Sequence, residues 1–118
     1  KGIWSHEGRL KFQAAGTSIS TIQDSGNRSI EVDTLDHLIG DEDVTFMKMD
    51  IEGAEIPALI GAQQLIQKNR PKLAICVYHK PQDLIEIPQF IKKLVPEYKL
   101  WLRHHQFISW ETVLYASL

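Results

Sequence analysis

Residues 46–55, Phe-Met-Lys-Met-Asp-Ile-Glu-Gly-Ala-Glu, bring three carboxylates, Asp50, Glu52 and Glu55, close together around Gly53. A carboxylate can take a proton from a hydroxyl, ligate a hard cation or hold a polar ligand. Crowded carboxylates resist ionising together unless a cation, a bound proton or such a ligand relieves them. Lys48 precedes Asp50 by two residues, so on a strand both point to one face, roughly 7 Å apart. An apolar strand, a tight turn and a helix start would set the acids at the strand's C-terminal end. Open α/β sheets place ligand and reaction sites there. The same residues also have a plain structural use. Acids in a helix's first turn complement its dipole, and Gly53 supplies a backbone angle that a turn needs. The surrounding elements decide between the two.

Those elements follow from hydrophobic spacing. Strands are expected at Leu10–Ala14, Ser29–Val32, Val44–Asp50, Lys72–Tyr78, Tyr98–His104 and Glu111–Ala116. Residues 17–28, rich in Ser, Thr, Asn, Asp and Gly, read as an exposed loop. A short helix through Leu35, Leu38 and Ile39 has Asp33 or Thr34 as its cap and Gly40 at its end. A longer helix is expected over 55–69, with Pro57 tolerated in its first turn and Asn69 and Pro71 as the stop. A helical turn through Leu84 and Ile87 is expected to break at Pro88, where a second helix through Phe90, Ile91, Leu94 and Val95 begins.

Val44–Asp50 and Lys72–Tyr78 are both apolar and separated by a helix. They make a right-handed βαβ unit with parallel strands, expected to be buried. The last two strands suit an antiparallel hairpin. Nothing earlier in the chain is a convincing parallel neighbour for the other edge of Val44–Asp50, so the sheet looks half built.

The chain has 118 residues, is 43% hydrophobic and carries a net charge of −2, which bounds it to one domain or part of one. The absence of a basic block argues against a nucleic-acid partner. Its apolar runs are too short for a membrane-spanning helix, and no signal peptide is visible. The single cysteine, Cys76, sits within Leu73-Ala74-Ile75-Cys76-Val77 and reads as a small buried hydrophobe. It excludes an intrachain disulfide and suits a reducing cytoplasm. The chain begins at Lys1 rather than Met, so it is expected to be a processed or excised piece of a longer protein.

The order of these pieces resembles the C-terminal half of an FkbM-type methyltransferase domain. The pieces are Val32-Asp33-Thr34-Leu35-Asp36, Lys48-Met49-Asp50-Ile51-Glu52-Gly53-Ala54-Glu55 and Leu59-Ile60-Gly61-Ala62. They continue with Pro71-Lys72-Leu73-Ala74-Ile75 up to Tyr78-His79, Tyr98-Lys99-Leu100-Trp101-Leu102-Arg103-His104 and Glu111-Thr112-Val113-Leu114-Tyr115-Ala116. The resemblance runs from about Leu35 to Ala116. It implies an α/β fold: a partial Rossmann-like methyltransferase sheet with a parallel βαβ core and a C-terminal antiparallel strand pair. Residues 1–118 would be the C-terminal portion of a single methyltransferase domain. Val44–Asp50 and Lys72–Tyr78 would be its fourth and fifth strands, and residues 1–14 would follow its third.

The family's glycine-rich cofactor loop and ribose-gripping acid belong to the N-terminal half and have no counterpart here. The implied activity is transfer of a methyl group from S-adenosylmethionine to a hydroxyl of a small-molecule acceptor, a sugar or a polyketide-like natural product. Asp50, Glu52 and His79 are the implied catalytic residues. Lys48, Glu55 and His104 are the candidates for contact with substrate, and the cofactor-binding residues are unassigned. Some Rossmann-like O-methyltransferases hold a divalent metal at this strand tip, so Asp50 and His79 are also metal candidates.

Each residue has a plainer alternative. His79 precedes Lys80-Pro81 and could serve only a loop hydrogen bond. His104 and His105 are adjacent on a strand and face opposite ways, so at most one can join a site. Lys48 could pair with a neighbouring acid. Trp4, Trp101 and Trp110 could stack on a sugar but are more simply core or edge aromatics. Two other function classes remain at this point: a non-catalytic binding or assembly module, and a fragment of a hydrolase using Asp50 and Glu52 as an acid pair on a barrel strand. The chain alone is expected to bind the cofactor weakly or not at all. The bare edge of Val44–Asp50 implies a homo-oligomer or a missing N-terminal segment.

Overall fold

A computed structural model describes residues 1–13, 21–22, 28–106 and 111–118. The expected Ala14, most of the 17–28 loop and Trp110 lie outside them. The chain forms two four-stranded sheets. One has the order β1-β4-β2-β3, from β1 (Gly2–Ile3), β2 (Gly8–Gln13), β3 (Thr21–Ile22) and β4 (Arg28–Asp33). Thr21–Ile22 pair antiparallel with β2, so the segment expected to be loop contains a short strand. The other sheet has the order β5-β6-β8-β7, from β5 (Phe46–Met49), β6 (Lys72–Cys76), β7 (Lys99–His104) and β8 (Thr112–Ser117).

In this second sheet β5 and β6 are parallel, while β8 runs antiparallel to both β6 and β7. The βαβ spacing and the C-terminal hairpin are therefore present. These are strands of an open mixed sheet, which removes the barrel-strand hydrolase.

Register sets the faces. Met49, Ile75, Leu114 and Leu102 lie in one row across the four strands. Met49, Ile75 and Leu114 join Leu73, Val77 and Ala116 in the core, packed against Ala58, Leu59, Leu65, Ile66, Ile87 and Ile91 of the helices. The opposite face carries Phe46, Lys48, Trp101 and Arg103. Phe46 is 57% exposed and Trp101 49% exposed. Among the described residues no helix covers that face, and the molecule is a slab only 19 Å along its shortest axis. This corrects the expectation for β5. Its apolar residues predict a buried strand, yet three of its four residues are not buried, because one edge is unpaired and one face bare.

The helices show two further departures. The expected 55–69 helix divides into α2 (Glu55–Ile60) and α3 (Gln63–Asn69) at Gly61-Ala62. The break lets the N-terminal segment press in: a Cβ on Gly61 would collide with the Trp4 carbonyl oxygen. Asp36 of α1 (Leu35–Ile39) donates its backbone N–H to the Gly61 carbonyl. The Asp36 carboxylate accepts the N–H groups of Gln64 and Leu65, at 3.1 and 2.8 Å, capping α3 from another element. α1 itself is capped as expected, by Thr34 accepting from the His37 N–H, and ends at Gly40.

α4 (Asp83–Leu94) runs unbroken through Pro88. The apolar stripe of Ile87 and Ile91, both fully buried, continues across the proline. The carbonyl that the proline leaves without its helical donor belongs to Leu84, a 45% exposed residue within reach of water. No helix among the described residues is long and apolar enough to cross a membrane.

Candidate active site

The C-terminal ends of the parallel pair β5 and β6 face the same way, so the loops leaving them meet. The loop after β5 turns sharply at Ile51–Ala54, closed by the Ala54 N–H donating to the Ile51 carbonyl at 3.2 Å. Both central residues have left-handed backbone, Glu52 at φ 55° and Gly53 at φ 88°. Glycine takes that conformation freely and glutamate does not, so Glu52 is held there at some cost. Lys80, from the loop after β6, donates its ammonium to the Gly53 carbonyl. A Cβ on Gly53 would sit 3.0 Å from the Lys80 side chain, so the glycine is what lets the two loops clasp.

The clasp carries His79 onto the acids. Its Nε2 lies 3.5 Å from Asp50 Oδ1 and 3.6 Å from Glu52 Oε2, and its Nδ1 lies 3.0 Å from Glu55 Oε1. The His79 side chain is 9% exposed, while Asp50 and Glu52 are 42% and 48% exposed. The ring is thus walled in, and its Nε2 edge fronts two carboxylates that reach solvent. None of the three contacts is aligned as a hydrogen bond: both ring nitrogens, and Glu55 Oε2, are buried without a partner among the described residues. Buried polar atoms are rarely left so in a site that serves only the fold.

Two neighbours complete the surroundings. The Tyr78 hydroxyl donates to Asp50 Oδ1 at 3.2 Å. Burial, then the charge of Asp50, pushes the Tyr78 phenol up to about 12, so it stays protonated and remains a donor. Asp83, buried at the start of α4, accepts the Lys80 backbone N–H at 3.1 Å. Its acidity is weakened by burial and further by the charge of Glu55.

Asp50, Glu52 and His79, picked from sequence, therefore converge. Glu55 does not reach the cleft: its side chain is 1% exposed and its Oε1 accepts the Ile51 N–H at 3.0 Å. His104 stands apart, its Nδ1 2.9 Å from the Thr112 hydroxyl. His105 faces a shallow groove with Trp101, Arg103 and Tyr115 on the bare sheet face. Lys48 is exposed and lines a different cleft of about 340 Å³, otherwise apolar, between β5, β1 and α1. Tyr78, Lys80 and Asp83 were missed. Only Tyr78, next to His79 at a strand tip, carried a signal.

The donors do not form a ready metal site. Among the described residues, the one group of three or more whose ligand atoms all lie within 4.8 Å of one another is Glu7, Asp33 and His37. Asp33 there already holds Lys1. Asp50 and His79 are close enough to share an ion, but Glu52 does not complete a convergent set with them.

The family model described as the methyltransferase FkbM domain matches residues 4–109. Among solved structures, the crystal structure of methyltransferase FkbM from Methylobacillus flagellatus KT is similar at 36% identity, with a TM-score of 0.78. The match covers 98% of this chain and 26% of that one, so the chain spans about a quarter of the length of its solved relative. No curated protein matches it.

Proposed function

Since the chain belongs to the FkbM methyltransferase family, we propose that it is the acceptor-activating part of a Rossmann-like enzyme that methylates a hydroxyl oxygen, with S-adenosylmethionine as methyl donor. A sugar or polyketide-like natural product suits the carboxylate-rich cleft, because neighbouring hydroxyls can donate to Asp50 and Glu52 together. The observation that carries the reading is the unpartnered Nε2 of the nearly buried His79, set between two half-exposed carboxylates at parallel strand tips.

A hydroxyl seated there would share its proton between Asp50 and the Nε2 lone pair, the two acceptors that meet at this point. Tyr78 donates to Asp50 Oδ1, the oxygen that faces Nε2, and so holds the carboxylate in place to receive that proton as the acceptor oxygen becomes nucleophilic. Glu52 flanks the acceptor, and the clasp of Lys80 on Gly53 keeps the two loops in register, so that positioning supplies part of the rate. The residues that contact the donor are unassigned. No glycine-rich turn follows a strand in the sequence, and the cleft beside β5 offers a ribose no partner but Lys48. No step is therefore drawn through the donor.

The test is Asp50→Ala in the full-length protein, assayed by transfer of labelled methyl to hydroxylated acceptors. The expected result is a loss on the order of 10²–10⁴-fold with the fold intact by circular dichroism. Near-normal transfer would refute the role and favour a non-catalytic module.

A further inference from the structure

Glu55 is buried, ionisable and left unused by the chemistry above, yet it touches the one ring that chemistry depends on. We propose that Glu55 is a positioning residue: its carboxylate holds a proton on His79 Nδ1 and thereby keeps Nε2 turned to Asp50 and Glu52. This rests on the reading of the Asp50–Glu52–His79 cleft as the acceptor site.

Three observations carry it. Glu55 Oε1 is anchored by the Ile51 backbone N–H at 3.0 Å, so the acceptor is fixed to the same turn that presents Glu52. That same oxygen lies 3.0 Å from Nδ1. Glu55 Oε2 and both ring nitrogens are buried with no hydrogen-bond partner. Glu55 Oε1 takes the Ile51 N–H on one lone pair and has a second for the ring atom beside it, which can fill it only as Nδ1–H. That hydrogen is present both in one neutral tautomer and in the cation. A small rotation of the ring aligns it, a tightening that active-site hydrogen bonds commonly await until a ligand binds. Asp83, buried at the start of α4, has its acidity weakened first by burial and further by the charge of Glu55. The opposite tautomer would set a bare Nδ1 lone pair against Glu55 and leave that carboxylate with no donor but Ile51.

The experiment is nitrogen NMR of ring-labelled histidines in the full-length protein, with steady-state kinetics on the same samples. The expected wild-type signal for His79 is a hydrogen on Nδ1 in slow exchange. Glu55→Gln should keep it, because the Ile51 N–H still orients a carbonyl oxygen toward Nδ1. Glu55→Leu should lose it, and kcat should fall on the order of 10- to 100-fold while the acceptor KM holds. A wild-type His79 with its only hydrogen on Nε2 overturns the proposal without any variant. Glu55→Leu with unchanged ring signals and unchanged kcat overturns it as well. Asp50→Ala that stays active while Glu55→Leu still loses the Nδ1 hydrogen would sink the acceptor-site reading and uphold the hold of Glu55 on the ring.

Discussion

Two buried carboxylates in this molecule each meet a histidine, and they are treated in opposite ways. Asp33, at the end of β4, is completely satisfied. Its Oδ1 accepts the Thr34 N–H at 2.8 Å and His37 Nδ1 at 2.9 Å, and its Oδ2 accepts the Lys1 ammonium at 3.0 Å. The hydrogen bond from His37, then that from Lys1, holds its pKa down to about 2. Glu55 is as deeply buried and as close to a ring, yet one of its oxygens and both His79 nitrogens go unanswered. Partners of Asp33 come largely from its own helix start, where i to i+4 geometry delivers them. Glu55 receives its histidine from a distant loop, pinned by Lys80. The first arrangement is closed by its own partners; under the proposed function the second keeps hydrogen-bonding capacity in reserve for a ligand.

The largest effect expected from that contrast is on activity. His79→Ala should lower methyl transfer on the order of 10²–10⁴-fold, while His37→Ala leaves it unchanged. Parallel kinetics of the two variants decides the point, and equal losses would erase the distinction. Thermal unfolding should rank the pairs the other way. Asp33→Asn should lower the melting temperature, because Lys1 and His37 lose their charged partner. Glu55→Gln should leave it unchanged or raise it, because an incompletely satisfied buried charge is removed.

Acidity sharpens the comparison further. Asp33 titrates lower in the folded state than its ordinary 3.8, so the stability it contributes is present above that value and is lost as pH falls toward about 2. Asp83, raised by burial, has the reverse sign: its contribution is present below 3.8 and disappears as pH rises through its elevated value. Denaturant titrations should find the acid-side loss flattened in Asp33→Asn. At neutral pH they should find Asp83→Asn more tolerant of denaturant than the parent chain, unless loss of the Lys80 N–H contact outweighs the relief. The smallest effect belongs to a carboxylate with no histidine at all. Asp36→Ala should cost about 1 kcal/mol, the ordinary worth of a helix cap, measured by chemical unfolding, with activity untouched.

Much of this was legible in sequence wherever the controlling contact is local. The periodicity of Val44–Asp50, the helix and Lys72–Tyr78 forecasts the parallel pair, and the strand tips forecast the meeting of Asp50, Glu52 and His79. The failures share a cause. The break at Gly61 depends on the carbonyl of Trp4, and the unbroken passage of α4 through Pro88 depends on burial of Ile87 and Ile91. Glu55 reads as a helix-start acid open to substrate until His79 and the clasped loops are laid over it. Each is decided by a partner far along the chain, which local pattern cannot report.

A buried thiol at the end of β6 also gives the protein a chemical clock. Cys76 is the chain's single cysteine, 4% exposed, at the end of β6. Burial, then the neighbouring Asp50 charge, pushes its thiol up to about 12. Almost none of it is thiolate at neutral pH, so alkylating reagents should be ignored while the thiol stays buried. Each modification then marks an opening event. The rate at which label accumulates becomes a count of how often the strand tips part, and a ligand that bridges Asp50 and His79 should slow that count.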